Sequence, residues 1–272
     1  MKFSFIIPTI NHLDLLKNCV ASIKRHEPNQ EIIVVDDGST IPERNNIYLF
    51  CKKEGITFLY NQINSGFSKS VNKGMKYSNN HPILINNDVV LLNQITPYLV
   101  SSFNSDSKIG VVGSLLLFPD NKIQHGGMQR AGSEFLHQDK NIPLTLAVQK
   151  NTIATKKRYV ITTTGALYAI RRELINDIGY FDENYFLSCE ETNYSLRTWN
   201  NGWKVLYNPM IKAMHIEGGT RGNTHHSKVK RSAYWVKKEQ ESRNTFFNFL
   251  KTINLDMIEK KVIESNIEKN YL

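Results

Sequence analysis

The stretch "ILINNDVVLL", residues 83–92, decides how the chain must be laid out. Ile83, Leu84 and Ile85 form a continuous apolar run, the pattern of a strand buried on both faces. Asn86, Asn87 and Asp88 follow, with short polar side chains that compete for backbone hydrogen bonds and favour turns over strand interiors. Val89 to Leu92 then turn apolar again. The reading places a carboxylate, Asp88, just beyond the carboxyl end of a core strand.

The same arrangement recurs upstream. "FSFIIP" reads as a strand closed by Pro8, and Leu13, Leu16, Cys19, Val20 and Ile23 mark a helical stripe behind it, with Asn11 as its expected cap. "EIIVVDDGS" and "ITFLYN" are further strands. "NSGFSKSVNKGMKY" spaces Phe67, Val71 and Met75 four apart, as a helix does. Strands alternating with helices predict an α/β fold with a mostly parallel, Rossmann-like sheet and helices on both faces. Thr9 and Asn11, Asp36 and Asp37, Asn64, and Asn86 to Asp88 all fall just past strand ends, on the edge where open α/β sheets bind ligands. Each motif alone is ordinary turn chemistry; several on one edge argue for a site.

The second half is less regular. "FPDNKIQHGG" predicts a hairpin with Asp-Asn at its tip, and Gly132 to Lys157 shows little periodicity, which predicts loops over the site. A strand-like run reaches Gly165 and Ala166, and a short helix is expected from about Arg171. Glu190 and Glu191 stand at the start of another helix backed by Tyr194, Leu196 and Trp199. "GWKVLYNPMIKAMHI" reads as a strand ending near His215. From about Ser227 the chain turns basic and then helical, which divides it into 1–226 and a C-terminal extension, 227–272.

Composition narrows the function classes. The 272 residues carry 34 Lys and Arg against 25 Asp and Glu, a formal charge of +9 that suits a polyanionic partner. Three dispersed cysteines, Cys19, Cys51 and Cys189, argue against a disulfide framework and for a reducing compartment. Pro8, Asn11 and His12 interrupt the N-terminal apolar run too early for a signal peptide, and no stretch reaches the roughly 20 apolar residues of a membrane span. A soluble, cytoplasmic protein is expected. The "SKVKRSAYWVKK" segment, with Tyr234 and Trp235 among its cations, suits peripheral contact with an anionic membrane.

In order along the chain, "IIPTINH", "IIVVDDGS", "NSGFSKSVNKG", "LINNDV", "TGALYAIRRELINDIGYFDENYF", "CEETNYSLR" with "NGWKV", and "HIEGGT" resemble the inverting GT-A glycosyltransferases of the family-2 kind, including bacterial rhamnosyltransferase-like members. The resemblance runs from Phe3 to about Thr220, roughly four fifths of the chain. It implies a nucleotide-diphospho-sugar donor (UDP- or dTDP-), a glycan or glycolipid acceptor, and Mn²⁺ or Mg²⁺. It assigns Pro8, Thr9 and Asn11 to the nucleotide pocket, Asp36 to the base, Asp37 to base or ribose, and Asn64, Gly66, Asn72 and Asn87 to the nucleotide side. Asp88 takes the last position of the family's D-x-D and His215 a position that reaches metal or diphosphate. Glu191 matches the general base, with Glu190 as its alternative, and Gly165, Asp182 and Glu183 fall on the acceptor side. A helix N-terminus is expected to keep Glu191 ionised.

Two departures stand out: "NND" lacks one carboxylate of D-x-D, and "EE" replaces "ED". The thinned motif supports a rival reading, a catalytically silent nucleotide- or carbohydrate-binding module. Nucleic-acid binding has only the charge in its favour, without an aromatic-rich RNA signature or a helix-turn-helix pattern. A sugar nucleotidyltransferase would carry a glycine- and arginine-rich loop where this chain has "PTINHL". His12, His125, His225 and His226 read as surface residues, and Trp199 and Trp203 as core. Oligomeric state stays open.

Overall fold

The computed structural model describes residues 1–216, 218 and 232–271. In chain order the elements are β1 (Phe3–Thr9), α1 (Leu13–His26), β2 (Glu31–Asp37), α2 (Ile41–Glu54), β3 (Thr57–Asn61), α3 (Phe67–Tyr77), β4 (His81–Ile85) and β5 (Val89–Leu91). Then come α4 (Thr96–Ser105), β6 (Ile109–Leu117), β7 (Ile123–His125), β8 (Met128–Ala131), β9 (Glu134–His137) and α5 (Leu144–Gln149). The remainder is β10 (Arg158–Tyr159), β11 (Leu167–Ile170), α6 (Arg172–Ile178), α7 (Glu190–Asn200), β12 (Lys204–His215), α8 (Ala233–Leu250) and α9 (Leu255–Glu268).

The main sheet runs β10-β12-β6-β11-β4-β1-β2-β3, with β5 on β12 and β7 on β6. The expected α/β architecture is what the chain forms. Pairing is parallel through β3, β2, β1 and β4 and again between β6 and β12, while β11 is inserted antiparallel between β4 and β6. Ile6, Val34, Leu84 and Ile85 are fully buried, as uninterrupted apolar strands in the middle of a covered sheet must be. Helix α1 supplies Leu16, Cys19, Val20 and Ile23 to this core and α3 supplies Val71 and Met75.

Several local expectations change. The run expected to reach Gly165 and Ala166 as a strand is instead interrupted there, with β10 before it and β11 starting only at Leu167. Asn11 does not cap α1: His12 occupies that position without a side-chain cap, and the Asn11 amide oxygen instead accepts from Thr40 N–H at 3.1 Å. Helix α2 went unread because its amphipathic signal is slight; only Ile47 and Cys51 on it are buried. The Gly132–Lys157 stretch is not merely loop, since β9 and α5 lie within it. His125 is not a surface residue but fully buried, its Nδ1 2.7 Å from His137 Nδ1 and its Nε2 2.9 Å from Thr163 Oγ1. The "DN" hairpin is present, joining β6 to β7 with Asn121 at φ 63°.

The C-terminal helices dock on the rest of the molecule. Asn266 holds both backbone groups of Tyr159, accepting from its N–H at 2.8 Å and donating to its carbonyl at 3.0 Å. Ser242 Oγ on α8 accepts from Phe186 N–H (3.1 Å) and Leu187 N–H (3.2 Å). The boundary expected at 226/227, together with His225, His226 and the cations before Ser232, lies outside the described residues. Among the described residues, no helix is long and apolar enough to cross a membrane.

Candidate active site

The carboxyl ends of β1, β2 and β4 open onto a cleft of about 740 Å³. Pro8, Thr9, Asp37, Asn64, Gly66, Asn87, Asp88 and His215 line it, together with Phe186, Leu187 and Trp235 from the second half. Asp37 builds the wall. Its Oδ1 accepts from Asn61 Nδ2 and Ser65 N–H, and its Oδ2 from Gly66 N–H, all at 2.9 Å. Two glycines make the close approaches possible. Gly38 (φ 76°) would place a Cβ 2.3 Å from the Asn64 nitrogen, and Gly66 (φ 90°) one 2.5 Å from the Phe186 carbonyl oxygen, so no side chain fits at either.

At the cleft's end, Asp88 Oδ1 lies 3.2 Å from His215 Nε2. Register puts them together: His215 pairs with Val89 on β5, and Ile216 N–H donates to the Asp88 carbonyl at 3.1 Å. Asn87, the middle residue of "NND", donates its amide to Thr9 Oγ1 at 2.9 Å and ties β4's end to β1's. Among the described residues, no cluster of three His, Cys, Asp or Glu could hold a metal. A hard divalent cation needs only one or two protein ligands when phosphates and water supply the rest, so a carboxylate and an imidazole at this spacing fit one. Among the described residues, no Lys or Arg lines the cleft.

A second cleft of about 950 Å³ lies on the other side of the 186–189 segment. Met128, Phe135 and His137 of the β8–β9 hairpin line it, as do Cys189 and Glu191 at the start of α7 and Glu239, Arg243, Phe246 and Phe247 of α8. Phe186 and Leu187 border the first cleft and Ser188 and Cys189 the second, so the two share a wall.

Glu191 stands just past that wall, in the first turn of α7, and lines the second cleft. Gly165 packs against it so closely that an added Cβ would lie 3.2 Å from Glu191 Cβ. The N–H groups of Gly165, Thr192 and Glu191 itself bond the carboxylate and favour its charge, but burial outweighs them and pushes the group up to about 7 from the usual 4.5. The helix terminus therefore does not keep Glu191 fully ionised at neutral pH: the desolvation of an enclosed carboxyl exceeds a dipole effect of roughly 0.3–1 kcal/mol. Glu190, 6 % exposed, lines neither cleft. The two halves of the site connect through the backbone, since Asn86 N–H donates to the Ala166 carbonyl at 3.0 Å, next to Gly165.

Residues 4–179 match the family described as Glycosyl transferase family 2. The chain belongs to that family. Relatives of this family-2 chain include the O-antigen biosynthesis protein RfbC of Myxococcus xanthus, 25% identical over 236 residues that cover 81% of this chain and 18% of that protein. Another is a poly-beta-1,6-N-acetyl-D-glucosamine synthase of Staphylococcus aureus (strain MSSA476), 22% identical over 253 residues, 92% of this chain and 57% of that protein. The fold is similar to that of GalNAc-T7 crystallised with UDP, GalNAc and Mn²⁺, at a TM-score of 0.64 and 19% identity, covering 79% of this chain and 44% of that one. The family-2 chain thus spans only part of the length of its curated relatives, 18% and 57% for these two.

Several residues singled out in the sequence have other tasks in the family-2 chain. Asp36 is fully buried, accepts from Ser39 N–H and Oγ and pairs with Arg44 Nε at 2.9 Å; sealed in this way it lines no cleft and organises the β2–α2 connection instead of meeting a base. Asn72 is 1 % exposed and its amide grips both backbone groups of Phe181, so it latches a turn to α3 and does not face the nucleotide side. In the same turn Asp182 Oδ1 accepts from Asn184 N–H at 2.9 Å and Glu183 faces Asn72 (3.0 Å) and Lys76 (3.6 Å); neither residue lines either cleft. Trp199 is core, at 2 % exposure, whereas Trp203 is only partly buried. Glu217, Gly219 and Thr220 of "HIEGGT" fall outside the described residues.

The sequence reading missed Gln124 and Ser242. Gln124 Oε1 lies 2.7 Å from His215 Nδ1 across 91 positions, and Ser242 holds the shared wall. Both are tertiary pairings with no local pattern to announce them.

Proposed function

We propose that the chain is an inverting glycosyltransferase that moves a sugar from a nucleotide-diphospho-sugar, a UDP- or dTDP-sugar, to a hydroxyl of a surface glycan, glycolipid or protein-linked glycan by a metal-assisted single displacement. One observation carries the reading. A cation-fitting pair, Asp88 and His215, closes one cleft, and a carboxyl held near neutrality, Glu191, faces the neighbouring cleft across a shared wall. Family membership and a fold like that of a protein crystallised with UDP, GalNAc and Mn²⁺ support it.

In this mechanism the donor's nucleotide lies along Pro8, Thr9, Asp37 and Asn64 with its diphosphate toward Asp88 and His215. Bound there, Mn²⁺ or Mg²⁺ would supply Lewis-acid stabilisation to the leaving diphosphate. The acceptor hydroxyl enters from the second cleft. Glu191 takes its proton as the new oxygen–carbon bond forms at the anomeric centre. The bond to the diphosphate breaks on the opposite face, its electron pair departs with the leaving group, and the configuration inverts. A base with a pKa near the working pH suits this transfer. The exchange of "ED" for "EE" leaves a carboxylate in place, supplied by Glu191.

The test is a panel of nucleotide sugars, with and without Mn²⁺, read by thermal shift and by release of free nucleotide, on wild type and Glu191→Gln. The expected outcome is donor stabilisation in both proteins and turnover in wild type alone. Stabilisation without turnover in wild type, whatever the acceptor, would favour a silent binding module.

A further inference from the structure

We infer that Gln124 is a positioning residue that fixes the tautomer of His215 and thereby tunes the cation site for Mn²⁺ over Mg²⁺. The inference rests on the cation reading of Asp88 and His215 given above and goes beyond it by adding a residue and a selectivity. Gln124 sits on β7, is 4 % exposed and reaches the end of β12. Its two amide ends are told apart by what they face. The Nε2 group lies 3.4 Å from the His215 carbonyl, which can only accept, so this end is the donor. Oε1 is then the atom 2.7 Å from His215 Nδ1, so Nδ1 must carry the hydrogen.

A neutral imidazole with its proton on Nδ1 presents its lone pair at Nε2, the nitrogen 3.2 Å from Asp88 Oδ1. A cation shared between this nitrogen and the Asp88 oxygen would be ligated by both. Ligating histidines generally donate their other ring N–H to an oxygen, which orients the ring, and loss of that partner lowers metal affinity about 10- to 100-fold. Imidazole is a ligand for borderline metals, whereas Mg²⁺ favours oxygen donors. Whatever weakens the His215 contact should therefore weaken Mn²⁺ more than Mg²⁺. The motif lacks one carboxylate, so nitrogen ligation carries a larger share of the affinity than a second carboxylate would have left to it.

The test measures Mn²⁺ and Mg²⁺ binding to the full chain in the presence of UDP, using the electron-spin signal of free Mn²⁺ and its displacement by Mg²⁺. Wild type, Asp88→Ala, Gln124→Leu and Gln124→Glu are compared. Gln124→Glu keeps an oxygen for Nδ1–H and should bind Mn²⁺ within about 3-fold of wild type. Gln124→Leu should lose about 10- to 100-fold in Mn²⁺ affinity, a smaller factor for Mg²⁺, and keep a cooperative melt. Equal Mn²⁺ affinity in Gln124→Leu and wild type, with Asp88→Ala impaired, would overturn the inference alone. So would equal losses for both metals, or a Gln124→Glu variant as weak as Gln124→Leu, since either marks a merely structural role. If wild type has no Mn²⁺ site that Asp88→Ala removes, the cation reading fails and takes the inference with it.

Discussion

Replacing Glu191 by Gln should make the protein inactive and more stable at the same time, and the gain should depend on pH. Enclosure by Gly165 and the first turn of α7 raises the carboxyl from 4.5 to about 7. At 1.36 kcal/mol per pH unit, that difference corresponds to up to roughly 3 kcal/mol against ionisation in the folded chain. The sign follows from linkage. Below about pH 4.5 the group is protonated folded or unfolded and contributes nothing. Between 4.5 and about 7 the unfolded chain ionises first, so the folded state loses ground, and above 7 the loss is complete. Glutamine is neutral throughout and escapes it. At pH 8.5 the variant should melt up to about 6–12 °C above wild type, taking 2–4 °C per kcal/mol for a chain of this size; at pH 5.5 the gain should shrink to less than half. Wild-type kcat/KM should rise with pH through an apparent pKa near 7, and the variant should lose about 10²- to 10⁴-fold in turnover. A pH profile with its midpoint below 5, or a melting gain equal at both pH values, would refute the reasoning that burial sets this group's charge.

Other outcomes follow from the same geometry. Asp88→Ala should abolish Mn²⁺-stimulated nucleotide binding, seen as loss of the metal-dependent part of the thermal shift with UDP or dTDP. Gly165→Ala puts a methyl group 3.2 Å from Glu191 Cβ; turnover should fall while donor affinity, read by calorimetry, stays within about 3-fold. Gly66→Ala forces a side chain into φ 90° and into the Phe186 carbonyl, and denaturant melts should show a loss of about 1–3 kcal/mol. Ser242→Ala strands two backbone donors, Phe186 N–H and Leu187 N–H, at a cost of about 1–3 kcal/mol, with nucleotide affinity reduced as well.

The sheet was legible in β1, β2 and β4, where cover on both faces gives unbroken apolar runs such as Ile83–Ile85 and Ile32–Val35, though β6, buried along its whole length, escaped the reading. Helix α2 was not, since it buries little and so needs little pattern. At the site, residues that touch the cleft through position alone, such as Thr9, Asp37 and Asp88, stood out as polar breaks after strands. Asp36 and Asn72 have the same polar look but spend it inward, on Arg44 and on Phe181. Sequence does not separate a carboxylate turned toward a ligand from one turned toward its own loop; only the partner does. Likewise Glu190 and Glu191 are equivalent as letters, and the helix that starts with them chooses which one meets the cleft.

Ser242 lies well past residue 179, where the family match ends, yet its hydroxyl fastens the partition between the two clefts. The appended helix is therefore more a keystone than a passenger. Any variant that shifts α8 by a fraction of its length will be felt in both chambers at once, and a lineage that trades this helix for another must rebuild the fastening along with the side of the second cleft that it lines.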